Sequence, residues 1–255
     1  VSDPDKGELS RAFEDFINTY GRKPENRLLL YFAGHGYTKK MSYGSEMGYI
    51  VPVDAPNPEN DIDGFVNKAM DMQQIEVFAK RIESKHALFL FDSCFSGSLF
   101  ALSRAIPKSI SYKTSWPVRQ FITAGSAEET VPDRSTFREQ FVAALEGEGD
   151  VNEDGYITGT ELGVFLQDTV INYTKESQHP QYGKIRDRNL DKGDFVFALG
   201  IDVYEQPSKP KVVEEFDFGD IEKKRKKLQE EREVKTEWTK WQKKFDTAYE
   251  EALRY

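Results

Sequence analysis

The sequence predicts an α/β fold, a mostly parallel sheet flanked by helices on both faces, and three observations carry that prediction. Two short, continuously apolar runs, residues 28–33 (LLLYFA) and 87–91 (ALFLF), have the composition of strands buried on both faces. The first run opens into the glycine turn Gly34-His35-Gly36, and the second ends at Asp92-Ser93-Cys94. Around them, segments with apolar residues at helical spacing alternate with strand-like ones, the order that builds a helix-flanked sheet.

In chain order, residues 7–20 predict a helix, because Leu9, Phe13, Phe16 and Ile17 recur at helical spacing and Gly21 closes the pattern. Residues 28–33 then form the first buried strand. Residues 48–53 (GYIVPV) predict a weaker strand, 72–82 a helix, and 87–91 the second buried strand. Residues 98–117 are rich in Ser, Lys and Arg and contain two prolines, so much of this stretch is expected to be an exposed loop. A third strand follows at 120–124, helices at 137–145 and 161–173, and a last strand at 194–199 (DFVFAL).

Residues 1–201 therefore form one α/β domain, which the chain length of 255 accommodates, and 202–215 read as a polar linker. Residues 216–255 are densely charged. Within them Trp238, Trp241, Phe245 and Tyr249 fall at spacings of three and four, which predicts a long amphipathic helix. Its aromatic stripe packs on its own domain or serves as a connector or partner-binding surface.

Hydrophobic residues make up 38% and charged residues 31%, a balance that supports a packed core rather than disorder. A net charge of −9 disfavours nucleic acid, whose phosphates it would repel. No apolar run reaches the roughly 20 residues that span a bilayer, and residues 1–9 lack the features of a signal peptide, so a cytoplasmic protein is expected. Cys94 is the one cysteine, which excludes an internal disulfide and a cysteine-rich zinc site.

Cleavage of a peptide by a thiol needs a thiolate to attack the carbonyl and a group to protonate the departing amine, so a Cys and a His must meet in space. His35 and Cys94 both follow buried strands. In open α/β sheets ligands bind beyond the carboxyl ends of the strands, where both residues would be displayed. His86 and His179 have no comparable context and are read as structural or solvated.

Taken together, YFAGHG at residues 31–36, GYIVPVDA at 48–55 and FDSCFSG at 91–97 resemble the caspase-like cysteine peptidases, particularly their bacterial and metacaspase-like branches. His35 and Cys94 lie 59 positions apart, against about 50 in caspases. The similarity continues through ITAGSAEET at 122–130 and QYGKI and GDFVFAL near 181–199, covering about residues 9 to 200.

The resemblance implies a caspase-like fold and a cysteine endopeptidase with Cys94 as nucleophile and His35 as the proton-transfer group. It implies an oxyanion hole from the backbone N–H groups of Gly36 and Cys94. It also implies an acidic S1 pocket for Arg or Lys, since Asp92 stands two residues before the nucleophile. Ala127 occupies the position where these families often carry a second acid, and Glu128 or Glu129 is the nearest substitute. The alternative for Asp92 is a purely structural carboxylate bonded to backbone amides beneath the catalytic loop. The resemblance also implies a protein substrate. Arg104, Lys108 and Lys113, in the predicted loop, are candidate self-cleavage sites. Bacterial relatives imply regulated cleavage in stress, defence or cell death, and a catalytically silent signalling scaffold is the alternative.

Asp150, Asn152, Asp154, Tyr156, Thr158 and Glu161 match an EF-hand calcium loop: oxygen ligands at positions 1, 3, 5, 9 and 12, a backbone carbonyl at 7, and Gly155 at 6. Ca2+ is the expected ion, and the chemistry itself needs no cofactor. The alternative is a helix connection with solvated carboxylates. Relative to the family pattern, only 34 residues precede His35, so the N-terminal strands are expected to be missing from this chain and supplied by an N-terminal fragment. Alternatively, a regulatory protein or domain engages the C-terminal helix.

Overall fold

α1 (Lys6–Tyr20) begins at a capping box in which Asp5 Oδ1 accepts from Glu8 N at 2.7 Å and Glu8 Oε2 accepts from Asp5 N at 3.1 Å. β1 (Arg27–Ala33) follows, then an antiparallel hairpin of β2 (Gly36–Lys40) and β3 (Glu46–Ile50). α2 (Ile62–Lys68) is capped by Asp61, and the two-residue β4 (Met70–Asp71) joins the hairpin in a small three-stranded sheet. α3 (Met72–Arg81) leads into β5 (His86–Cys94), after which come β6 (Phe100–Leu102), α4 (Ile110–Ser115), β7 (Val118–Gly125) and α5 (Thr136–Ala143). A π-helical turn at Ala144–Glu148 extends α5, and β8 (Tyr156–Thr158), α6 (Gly159–Tyr173), β9 (Gln181–Ile185) and β10 (Val196–Ala198) follow. This computed structural model describes residues 1–94, 100–102, 110–126, 129 and 135–199, with backbone alone at 94 and 100–102. From Asp3 onward they belong to one compact unit.

The central sheet has the order β1-β5-β7-β9-β6. β1, β5 and β7 are parallel, while β9 is antiparallel to both β7 and β6, so four of the five strands run in one direction. Alternation along β5 sends Ala87, Phe89 and Phe91 into a core shared with Leu9, Phe13 and Ile17 of α1 and Ile75, Phe78 and Ala79 of α3. There Phe13 stacks on Phe78 at 5.2 Å and Phe89 on Phe121 at 4.8 Å. Burying each such ring contributes about 2 to 3 kcal/mol. On the opposite side, Tyr31 of β1 stacks on Phe141 of α5 at 6.3 Å. Gly163 of α6 packs on Tyr182 of β9 so tightly that a Cβ would meet the side chain at 2.4 Å. Helices thus cover both faces, as the apolar runs required.

Three expectations need correction, the first being that residues 28–33 form a strand buried on both faces: β1 is an edge strand in which Leu28 is buried while Leu29 is 37% exposed. Residues 98–117 are not simply a loop: Phe100–Leu102 pair with β9, and Ile110–Ser115 are helical despite the weak periodicity. The strand expected at 48–53 is instead β3, ending at Ile50 and lying in the hairpin sheet, and Pro52 lacks the N–H to extend it. The predicted linker 202–215 and C-terminal helix lie outside the described residues.

Candidate active site

β1 and β5 pair in a parallel register that sets Tyr31 opposite Leu90 and Ala33 opposite Asp92. His35 and Cys94 each follow the Ala33–Asp92 pair by two residues, so both chain segments emerge at the carboxyl end of adjacent strands. Gly34 N donates to Asp92 O at 3.4 Å at that end. A Cβ on Gly34 would fall 2.8 Å from Phe32 Cζ, so the turn that delivers His35 accepts little but glycine. His35 is exposed, and its carbonyl accepts from Val51 N at 3.0 Å, tying the turn to the hairpin sheet that begins at Gly36. At the backbone, Cys94 is paired with Gly125 of β7, after an irregularity in register beyond Phe91.

Asp92 is 4% exposed. Its Oδ2 accepts from the Tyr31 hydroxyl at 2.6 Å, and the Ser135 hydroxyl hydrogen-bonds the same carboxylate. Ser135 is also the N-cap of α5, accepting from Arg138 N at 2.9 Å. Asp92 Oδ1, by contrast, is buried without a hydrogen-bond partner among the described residues. Burial pushes this carboxyl above its ordinary range, opposed by the bonds from Ser135 and Tyr31 and by the positive charge of Arg138. Sequence reading identified neither Tyr31 nor Ser135. Tyr31 sits inside an apolar strand run, and the only trace of Ser135 is a capping residue ahead of a helix.

Glu129 lies beyond the end of β7. Its Oε2 accepts from Ser126 N and His179 N, both at 2.8 Å, while Oε1 meets His179 Nδ1 at 2.6 Å. Burial pushes its carboxyl upward, but the hydrogen bonds from Ser126 and His179 together outweigh it and hold it below the usual value. Glu129 is therefore a strut between the segment after β7 and the one before β9. His179 is its partner at the surface, and His86 is a buried residue at the opposite end of β5. Glu128, Ala127, Arg104 and Lys108 lie outside the described residues. Lys113 stands in α4, and its carbonyl accepts from Asp194 N at 3.0 Å.

Asp150 to Glu161 form a wrapped loop between the π-helical turn and α6. Asp150 Oδ1 and Oδ2 accept from Asp154 N and Gly155 N at 3.1 and 2.9 Å, and Asn152 Oδ1 accepts from Asp154 N at 2.9 Å. Gly155 takes φ 82°, the left-handed turn required of loop position 6. Tyr156 and Thr158 bound β8, which pairs with β10, while Thr158 and Glu161 form the capping box of α6. Asn152 Nδ2 also donates to Glu161 Oε1. Burial pushes the Glu161 carboxyl up. Among the described residues, no three His, Cys, Asp or Glu side chains converge as a metal cluster.

The caspase-domain family model matches residues 1–230. The chain therefore belongs to the caspase-domain peptidase family. It is 26% identical over 157 residues to a protein described as a probable protease from a Desulfuromonadales bacterium, an alignment covering 56% of this chain. The matched part amounts to 18% of that relative's length. Among the described residues no helix is long and apolar enough to cross a membrane.

Proposed function

We propose that this chain is a cysteine endopeptidase that cleaves proteins after Arg or Lys, with Cys94 and His35 as its catalytic dyad. The observation that carries the reading is the Ala33–Asp92 register, which brings the two short segments bearing His35 and Cys94 to one end of neighbouring parallel strands. The Cys94 thiolate attacks the scissile carbonyl carbon, and the oxyanion accepts hydrogen bonds from Gly36 N–H and Cys94 N–H, worth about 3 kcal/mol for one such donor. His35 gives its proton to the departing amine as the C–N bond breaks, leaving a thioester. Water, deprotonated by His35, then attacks the thioester carbon and the thiolate leaves.

Asp92 is the acidic floor of the S1 pocket. Its buried, unpartnered Oδ1 supports this role, because a purely structural carboxylate would be expected to have both oxygens satisfied. Arg104, Lys108 and Lys113 are the corresponding self-cleavage positions, and a cut at Lys113 requires α4 to open. The loop at Asp150 to Glu161 takes Ca2+, the buried Asp150 and half-buried Glu161 carboxylates gaining a counter-charge. Binding draws Glu161 away from part of its present hydrogen bonding.

The test is a panel of reporter peptides with Arg, Lys or Asp before the scissile bond, assayed with and without Ca2+. Wild type turns over the Arg and Lys peptides, while Cys94→Ala and His35→Ala lose turnover by at least a thousandfold. Cleavage after Asp, or equal turnover by Cys94→Ala, overturns the reading.

A further inference from the structure

Asp92 is held by groups from two different elements, and the two have separable consequences. Ser135 belongs to the cap of α5, so its contact comes with that helix. Tyr31 reaches Asp92 diagonally across the β1–β5 pair, from a ring fixed against Phe141. Its 2.6 Å hydrogen bond engages Oδ2 and leaves Oδ1 buried with no partner among the described residues. A carboxylate that could rotate would offer an incoming cation either oxygen in many orientations. One clamped through Oδ2 offers a single plane, which suits the planar guanidinium fork far more than a spherical ammonium.

We propose that Tyr31 is a specificity-positioning residue, whose hydroxyl locks the Asp92 carboxylate in the orientation that selects arginine over lysine at S1. The inference rests on Asp92 as the S1 floor but goes beyond it. The acid supplies the charge, and Tyr31 supplies the geometry that distinguishes two equally charged side chains. Tyr31 acts through the Asp92 carboxylate, so its loss is expected in substrate binding, with the chemical step unchanged.

The experiment compares wild type with Tyr31→Phe on matched Arg and Lys peptides, across pH, with melting temperatures taken on the same samples. The phenyl ring keeps the stack on Phe141. The expected result is a KM for the Arg peptide raised about tenfold, as befits a lost hydrogen bond to a charged group, with kcat within about twofold. The Arg-over-Lys preference falls toward parity. The acid limb of kcat/KM moves to higher pH, because the lost bond favoured the ionised carboxylate. Phe141→Leu, which replaces the stacked ring with another apolar side chain and keeps the Tyr31 hydroxyl on Asp92, lowers the melting temperature and leaves the Arg-over-Lys ratio near wild type. If Tyr31→Phe fails to fold, Tyr31→Leu removes the same hydroxyl for the same measurements. An unchanged Arg-over-Lys ratio and acid limb in a folded hydroxyl-less variant overturn the role of Tyr31 while leaving the protease reading intact. Absence of Arg and Lys cleavage by wild type overturns the S1 assignment itself and this inference with it.

Discussion

Asp194 and Gln120 are joined inside the protein by a 2.6 Å hydrogen bond from Gln120 Nε2 to Asp194 Oδ1. The same carboxylate accepts from Thr160 N at 3.1 Å and Thr160 Oγ1 at 2.7 Å, and Gln120 Oε1 accepts from Phe195 N at 2.6 Å. One buried carboxylate thus fastens the start of α6 and the approach to β10 to β7 of the central sheet. Gly159 lies against Gln120 so closely that a Cβ would meet Oε1 at 2.6 Å, leaving the amide no room to turn away. Asp194→Ala leaves Gln120 and Thr160 with unsatisfied donors, and it lowers stability by about 3 kcal/mol in urea denaturation. A loss below about 1 kcal/mol would mean that the latch contributes little.

Arg119 is 1% exposed, and it neutralises the carbonyl-rich end of a helix instead of pairing with a carboxylate. Its guanidinium donates to Ala79 O at 2.8 Å, Lys85 O at 3.0 Å and Val118 O at 2.9 Å, and also to Ile82 O. The Ala79, Ile82 and Lys85 carbonyls lie at and beyond the last turn of α3, where the helix dipole favours a cation, and Val118 opens β7. Burial brings the side chain down to about 10. A lysine cannot fan its donors over so many acceptors, so Arg119→Lys is expected to cost about 2 to 4 kcal/mol in chemical denaturation. An Arg119→Lys protein as stable as wild type would rule out the capping role.

His86 gives the stability curve a defined acid slope. It is 5% exposed, and among the described residues its Nε2 has no partner. Burial, then the charge of Arg27, pulls it below its ordinary 6.5, with Lys85 and Arg119 adding to the fall and a backbone hydrogen bond at Trp116 opposing it. The unfolded chain therefore binds this proton more readily than the folded one. Stability is full above pH 6.5 and is lost as pH falls from there toward the lowered folded value. Asp92, displaced upward from 3.8, works in the opposite sense: its burial cost is present at neutral pH and relieved as pH falls through its raised value. His86→Gln should flatten the slope of melting temperature between about pH 6.5 and 5.5. An unaltered slope would assign the acid sensitivity to other groups.

β5 was legible because it lies inside the sheet and is buried on both faces, so residues 87–91 are apolar throughout; β1 is as apolar over residues 28–33 although it is an edge strand in which only Leu28 is buried. α1 was legible for the complementary reason, that Leu9, Phe13 and Ile17 face one core. β2 (GYTKK) and β9 (QYGKI) were not read as strands, since each is largely polar and only partly buried and owes its form to antiparallel pairing with a neighbour. In the candidate site, a glycine turn after the first apolar run marked His35, and the end of the second apolar run marked Cys94. The hydroxyl contact of Tyr31 was invisible, because its partner lies 61 residues away and tyrosine in a strand reads as one more apolar residue. A fully buried arginine in β7 had no sequence signal, since its partners are backbone carbonyls that any residue supplies.

The loop at Asp150 to Glu161 offers a direct test with a readout independent of proteolysis. Glu161 holds two roles: its carboxylate caps α6 through Thr158 N at 2.8 Å, and it is the twelfth loop position that would clasp the ion. Glu161→Gln keeps the shape and much of the capping but removes a charge from the proposed ligand set. Terbium luminescence and calcium titration calorimetry on the whole chain should detect one site in wild type, with affinity lowered at least tenfold by Glu161→Gln and abolished by Asp150→Ala. Calcium should also raise the melting temperature of wild type, because an ion that binds only the folded loop stabilises it by mass action. The Glu161→Gln protein should respond only at correspondingly higher calcium. If wild type gives neither luminescence nor a melting shift at millimolar calcium, the loop is a helix connection whose carboxylates serve the hydrogen bonds they already make.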